Sequence, residues 1–101
     1  MLRSLFGMGP KVDLKELRKN GATLLDVRTT GEFAGGHVKG AINIPLDKLQ
    51  QQLKKLPKDK VVIACCLSGG RSGQAVSILK AEGYDAHNGG GWSSLDRVLN
   101  S

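Results

Sequence analysis

Val61-Val62-Ile63-Ala64-Cys65-Cys66-Leu67-Ser68-Gly69-Gly70-Arg71-Ser72 is the stretch on which the fold of this chain turns. Its apolar run from Val61 to Cys65 is unbroken, the pattern of a parallel strand buried on both faces, because a strand with one wet face alternates. From Ser72 to Glu82 the apolar residues Ala75, Val76, Ile78 and Leu79 recur at helical spacing, and Gly83 stands where helices end. A strand that passes through a glycine-rich loop into a helix turns backbone N–H groups inward. With the helix dipole they form a concavity for an anion, and a thiolate at Cys66 is such an anion.

Working outward, residues 1–10 read as an N-terminal arm ending in Gly9-Pro10, and residues 11–101 as one domain. Asp13, with Glu16 three residues on, has the capping-box spacing for a helix from Leu14 to about Asn20, closed by Gly21. Thr23–Val27 predicts a buried strand, Thr29-Thr30-Gly31 a turn, Glu32–Ala34 one helical turn and Ala41–Ile44 a second strand stopped by Pro45. Leu46, Leu49, Leu53 and Leu56 predict an amphipathic helix over Asp47–Leu56, closed by Pro57. Beyond Gly83, Tyr84–His87 reads as an edge strand and Gly89-Gly90-Gly91 as a flexible bend. Trp92–Leu99 reads as a helix with Trp92, Leu95, Val98 and Leu99 inward. Strands alternating with helices define an α/β domain with a mostly parallel central sheet flanked by helices. Ligands bind such sheets at the carboxyl ends of the strands, which puts Asp26 and Cys66 at one rim.

Fifteen Lys and Arg against nine Asp and Glu give a net charge of +6, a field that favours anionic substrates and acidic partners. Basic residues are scattered and aromatics make up only 4%, so the interleaved surface of a nucleic-acid binder is missing. The two cysteines are chain neighbours, too close for a disulfide between them, and free thiols suit a reducing compartment. The start of the chain has an apolar run too short for a signal peptide or a membrane span. Cytoplasm is the expected location, with neither nucleic acid nor membrane as partner.

In an electropositive loop Cys66 is expected to ionise below its usual value of about 8.5 and act as a nucleophile, with Arg71 nearby favouring the thiolate. Gly69 and Gly70 let the backbone close around a ligand. Arg71 offers a planar fork to sulfonate or phosphate oxygens, and Ser72 either donates to the thiolate or caps the following helix. Asp26 and Arg28 are candidate rim groups, with a Glu32–Arg28 ion pair or an Asp26 hydrogen bond that fixes the loop as the structural alternative. His37 has no metal-ligand cluster around it and reads as a hydrogen-bonded structural residue, and Trp92 as core packing behind the loop.

Leu24-Leu25-Asp26-Val27-Arg28, Glu32-Phe33, Gly36 through Pro45, Cys66 through Ser72, and Gly90-Gly91-Trp92 resemble, in order, the successive motifs of the rhodanese family. The likeness covers roughly residues 11 to 99. It implies a single rhodanese-like domain, a catalytic Cys66, and substrate contact from the amides of Leu67, Ser68, Gly69, Gly70, Arg71 and Ser72. It also implies no metal or organic cofactor. The activity implied is sulfur transfer: Cys66 takes a sulfane sulfur from a small anionic donor such as thiosulfate and passes it to a thiol, cyanide or a carrier protein. Cys65 leaves alternatives open, as a core residue, as a resolving thiol, or as the nucleophile of a Cys-dependent phosphatase or arsenate reductase through the spacing Cys65-x5-Arg71. A non-catalytic binding module of the same fold is the third reading.

If the positive field draws in an anionic donor, turnover with thiosulfate below saturation falls as salt is raised, measured at constant pH over a series of ionic strengths.

Overall fold

Strands β1 (Thr23–Asp26), β2 (Ile42–Asn43), β3 (Val62–Cys66) and β4 (Ala86–Gly91) form a parallel sheet in the order β2-β1-β3-β4. The computed structural model describes residues 12–101, so the expected arm, residues 1–10, lies outside the described residues. Helix α1 (Leu14–Lys19) precedes β1, α2 (Thr30–Ala34) and α3 (Gly70–Ala81) connect strands, and α4 (Trp92–Leu99) follows β4. β3 is the interior strand the apolar run predicts: it pairs with β1 and β4, and every residue from Val62 to Cys66 is buried.

Strand alternation divides the core in two. On one face Val62, Ala64 and Cys66 join Leu25, Val27 and Ile44, covered by Ala75 and Leu79 of α3. On the other, Ile63 and Cys65 join Leu24, Val38 and Leu95, covered by Leu14 and Leu17 of α1 and by Trp92 and Leu99 of α4. Asp13 caps α1 as its spacing predicts, accepting from the Glu16 amide.

Four expectations need correction. Asp47–Leu56 forms two 3₁₀ segments, Leu46–Lys48 and Gln50–Lys55, with a kink at Gln52. The three-residue steps Leu46 to Leu49 and Leu53 to Leu56 keep leucines on one face at three residues per turn. The Tyr84 hydroxyl, bonded to the carbonyls of Leu53 (3.0 Å) and Leu56 (2.9 Å), holds the end of this segment. The residues read as the turn Thr29-Thr30-Gly31 instead begin α2: Thr29 and Glu32 form a capping box, each side chain bonding the other's backbone N–H. Val98 is 46% exposed, because Trp92 and Leu99 lie on one side of Leu95 around the helix axis and Val98 lies on the other.

The largest departure is the glycine run, which is strand rather than bend. Gly89, Gly90 and Gly91 complete β4, with a register shift that pairs Cys65 with Gly90 and Cys66 with Gly91. Close approach is the reason. A Cβ on Gly89 would sit 2.9 Å from Ile63 Cγ2 and 3.1 Å from the Ala64 carbonyl oxygen, and one on Gly91 would sit 2.8 Å from the Leu67 carbonyl oxygen. Gly91→Ala therefore lowers stability by about 1–3 kcal/mol through overpacking, whereas Gly31→Ala, which meets nothing within 4 Å inside α2, is neutral or stabilising. Urea midpoints of the two variants against the parent check the difference.

Candidate active site

β3 delivers Cys66 to its last position on the α3 face, at the carboxyl edge of the sheet. The chain then turns through Leu67 and Ser68 to Gly69, whose φ of 105° is left-handed and makes it the N-cap of α3. That turn returns the backbone to the sulfur. The Gly69 amide donates to Cys66 Sγ at 3.0 Å and the Ser72 amide at 3.3 Å, while Ser72 Oγ lies 3.3 Å away. Burial alone would push the thiol up. The Ser72 hydroxyl and the amides of Ser72, Gly69 and Ser68 outweigh it, and the Cys66 pKa is lowered from its ordinary value.

Of the loop amides named from the sequence, those of Gly69 and Ser72 are bonded to the sulfur, and the side chains of the loop take other places. Leu67 turns its side chain to solvent, 60% exposed. Ser72 is fully buried in the first turn of α3 and is not its cap, since Gly69 takes that place. Arg71, expected to favour the thiolate, directs its fork to Glu32, Nη1 to Oε1 at 2.8 Å and Nη2 to Oε2 at 3.1 Å. The Arg71 bond, the first of several to this carboxylate, holds Glu32 down to about 2. Arg71 also borders a cleft of about 460 Å³ shared with Val27, Thr29, Pro45, Leu46, Asp47 and Gln74.

Asp26 and Arg28 are buried beneath the edge, not exposed on a rim. Arg28 Nη2 donates to Asp26 Oδ2 at 2.7 Å, Nε to Oδ1 at 2.9 Å and its amide to Oδ1 at 3.0 Å, so of the two structural alternatives the Asp26 hydrogen bond forms and the Glu32–Arg28 ion pair does not. Arg28 also donates to the Gly36 carbonyl at 2.7 Å and lies 4.8 Å above the Trp92 ring. His37 is structural as expected, its Nδ1 2.8 Å from the Phe33 carbonyl and its ring stacked on Phe33.

Cys65 faces the opposite side of the sheet from Cys66, in the cluster with Ile63 and Leu95, and is wholly buried. Desolvation, aided by the Asp26 charge, pushes its thiol up to about 12. Among the described residues no group of three His, Cys, Asp or Glu is placed to hold a metal ion, and no helix is long and apolar enough to cross a membrane.

Two site residues escape the sequence reading. Glu32, a partner for Arg28 in only one of two alternatives, pairs with Arg71, and the Thr29-x-x-Glu32 spacing signals the cap that fixes it. Asn88 lies in the segment read as weak strand and bend, with no motif of its own. Its Oδ1 accepts from Ser72 Oγ at 2.7 Å and from the Gly90 amide at 2.8 Å, and its Nδ2 donates to the Gly69 carbonyl at 3.1 Å.

A parallel α/β sheet carrying a buried, amide-cradled cysteine at the carboxyl end of one of its two interior strands defines a class of domain with an activated thiol. Residues 11–95 match the rhodanese-like domain family, and the chain belongs to that family. It is 45% identical to the uncharacterized protein YqhL of Bacillus subtilis over 61% of this chain, and spans about half of that relative, 49%. It is 40% identical to the thiosulfate sulfurtransferase PspE of Escherichia coli, over 70% of this chain and 71% of PspE. A structure of a rhodanese with anions from E. coli superposes with a TM-score of 0.68 at 36% identity, over 72% of this chain and 89% of that one.

The two thiols differ enough to separate chemically. With iodoacetamide at neutral pH, only Cys66 is alkylated; its rate rises with pH and levels off below the ordinary thiol pKa, because the thiolate is the reacting form. Cys65 stays unmodified until the protein unfolds. Peptide mass spectrometry over a pH series reads both.

Proposed function

We propose that this chain is a rhodanese-type sulfurtransferase in which Cys66 carries the sulfur. The single observation that supports it most is the placement of Cys66 Sγ in a short loop under converging donors, the Gly69 amide at 3.0 Å and the Ser72 amide at 3.3 Å. The Cys66 thiolate attacks the sulfane sulfur of the donor. An Sγ–S bond forms, the donor's S–S bond breaks, and the leaving group departs with the electron pair, as sulfite when the donor is thiosulfate. A thiolate or cyanide acceptor then attacks the outer sulfur, and the Sγ–S pair returns to Cys66. The loop amides stabilise the persulfide anion, and no general base is needed for a thiol already ionised.

Glu32 engages two of the five N–H donors of Arg71, which leaves the others for an anionic donor. The adjoining cleft is of a size for a small molecule. PspE is named a thiosulfate sulfurtransferase, and this supports thiosulfate as a donor. A thiol, cyanide or carrier protein as acceptor, and a cytoplasmic setting that keeps Cys66 reduced, belong to the same reading. The phosphatase or arsenate reductase alternative has little support, since Cys65 is turned away from the loop and kept protonated.

Incubation with thiosulfate adds one sulfur to the intact protein by mass spectrometry. Cys66→Ser abolishes that gain and thiocyanate formation from cyanide, while Cys65→Ser retains both per folded molecule after a stability loss of about 1–3 kcal/mol for the buried hydroxyl. Sulfur transfer that persisted in Cys66→Ser, or aryl phosphate hydrolysis dependent on Cys65, would overturn the assignment.

A further inference from the structure

Asn88 projects from β4 on the same face as Ala64, its register partner, and therefore on the face of Cys66. Its amide orientation is set by its neighbours. Oδ1 receives the Gly90 N–H and Nδ2 meets the Gly69 carbonyl; a flipped amide would set donor against donor and acceptor against acceptor. Oδ1 is thus an acceptor toward Ser72 as well, and the 2.7 Å contact requires Ser72 Oγ to supply the proton. A serine hydroxyl has only one proton. While Asn88 holds it, Ser72 presents a lone pair to Cys66 Sγ at 3.3 Å, and the hydrogen of that contact comes from the thiol.

Ser72 therefore has two arrangements. In one, Cys66 S–H donates to Ser72 and Ser72 donates to Asn88, a chain that favours the neutral thiol. In the other, the Ser72 hydroxyl turns to a Cys66 thiolate and gives up Asn88. A hydrogen bond to the neutral form disfavours ionisation, and one to the charged form favours it. We propose that Asn88 is a positioning residue that competes with the Cys66 thiolate for the Ser72 proton, and so sets how much of the nucleophile is present at neutral pH. This rests on the reading of Cys66 as the nucleophile.

The other charged or titratable groups around the sulfur are Arg71 with Glu32 across the loop, Asp26 with Arg28 at the end of β1, Cys65 on β3, and His87 with Asp85 at β4. None of them is bonded to Sγ, and all are retained in the variants proposed here. Cys65, pushed up to about 12, does not titrate with Cys66.

A merely structural Asn88 and a competing Asn88 predict opposite signs. Loss of an anchor for Gly69 would loosen the amide cradle and move the Cys66 titration up. Loss of the competitor frees the Ser72 proton for the sulfur and moves it down. The experiment is ultraviolet thiolate absorbance against pH for the parent, Asn88→Ala, Ser72→Ala and the double variant, with circular dichroism to confirm the fold. Asn88→Ala is expected to lower the midpoint by at least about half a pH unit, roughly threefold more thiolate below it. Ser72→Ala raises it, and the Asn88 effect vanishes in the Ser72→Ala background, as coupling through one proton requires. A midpoint that rose or stayed put in folded Asn88→Ala, or a fall that persisted without Ser72, would overturn the proposal. The titration uses no sulfur donor, so failure to form a persulfide counts against the sulfurtransferase reading alone.

Discussion

A carboxylate with no solvent exposure stands at the carboxyl edge of the sheet, and it cannot be left without a cation. Asp26 is that carboxylate, and Arg28, two residues on and itself buried, supplies the charge. Removing one member of such a pair strands the other in a medium that cannot solvate it, which typically costs about 3–5 kcal/mol. Much of the site hangs from the pair. Arg28 reaches across to the Gly36 carbonyl and, at 3.3 Å, to the Glu32 carbonyl, which fixes the end of α2 against β1. Asn43 of β2 donates to the carbonyls of Asp26 and Arg28, both at 3.0 Å, and Trp92 at the start of α4 lies beneath the guanidinium. With α2 so placed, Glu32 meets Arg71, and the far end of the sulfur loop gains a fixed point. Asp26 and Arg28 thus act one layer below the rim.

The second constraint is the two-residue period of a strand. Adjacent cysteines on β3 have identical chemistry and neighbouring backbones, yet the pleat sends them to different worlds. Cys66 enters the face where α3 begins, and α3 begins with unpaired amides that need an acceptor. Cys65 enters the opposite face, among Ile63, Leu95 and Val38, where desolvation outweighs the attraction of Arg28 for a charge. One thiol is lowered and the other raised by the same fold. The groups bonded to the sulfur are neutral dipoles, to which Arg71 adds a longer-range attraction, so much of the thiolate's stabilisation is preorganised geometry, which salt screens far less than it screens the net +6 field at the surface.

The elements most legible in the sequence were those whose signal is local. The unbroken run at Val61–Cys65 declared an interior strand, and its junction with Gly69-Gly70-Arg71-Ser72 placed the thiol at a helix start, so the centre of the site was readable from residue order. Pairings between side chains distant in sequence were not. Glu32 lies 39 residues from Arg71, and nothing in either neighbourhood names the other. The leucines of Leu46–Leu56 show which face is inward, but their spacing fits three residues per turn as well as 3.6, and the tie from Tyr84 comes from another part of the chain. The glycine run escapes the sequence for a related reason. Its freedom is visible in sequence, whereas the crowding that demands the absence of a side chain is a property of the packed structure.

That crowding also explains why an edge strand shapes the site. β4 has a neighbour on one side only, and its last residues carry almost no side-chain mass to bury. What they provide is a backbone that comes close. Gly91 sits against the Leu67 carbonyl, and the Gly90 Cα lies 3.6 Å from where a Cβ on Gly69 would be, so the loop is backed by main chain at both ends. Asn88 adds the polar contact this bare surface otherwise lacks, tying the Gly69 carbonyl and the Ser72 hydroxyl to one amide. A bulkier strand would push the loop outward and widen it, and a wider ring of amides would no longer close on a single sulfur. The glycine run and the short loop are therefore one device: the first sets the wall against which the second closes on the Cys66 sulfur.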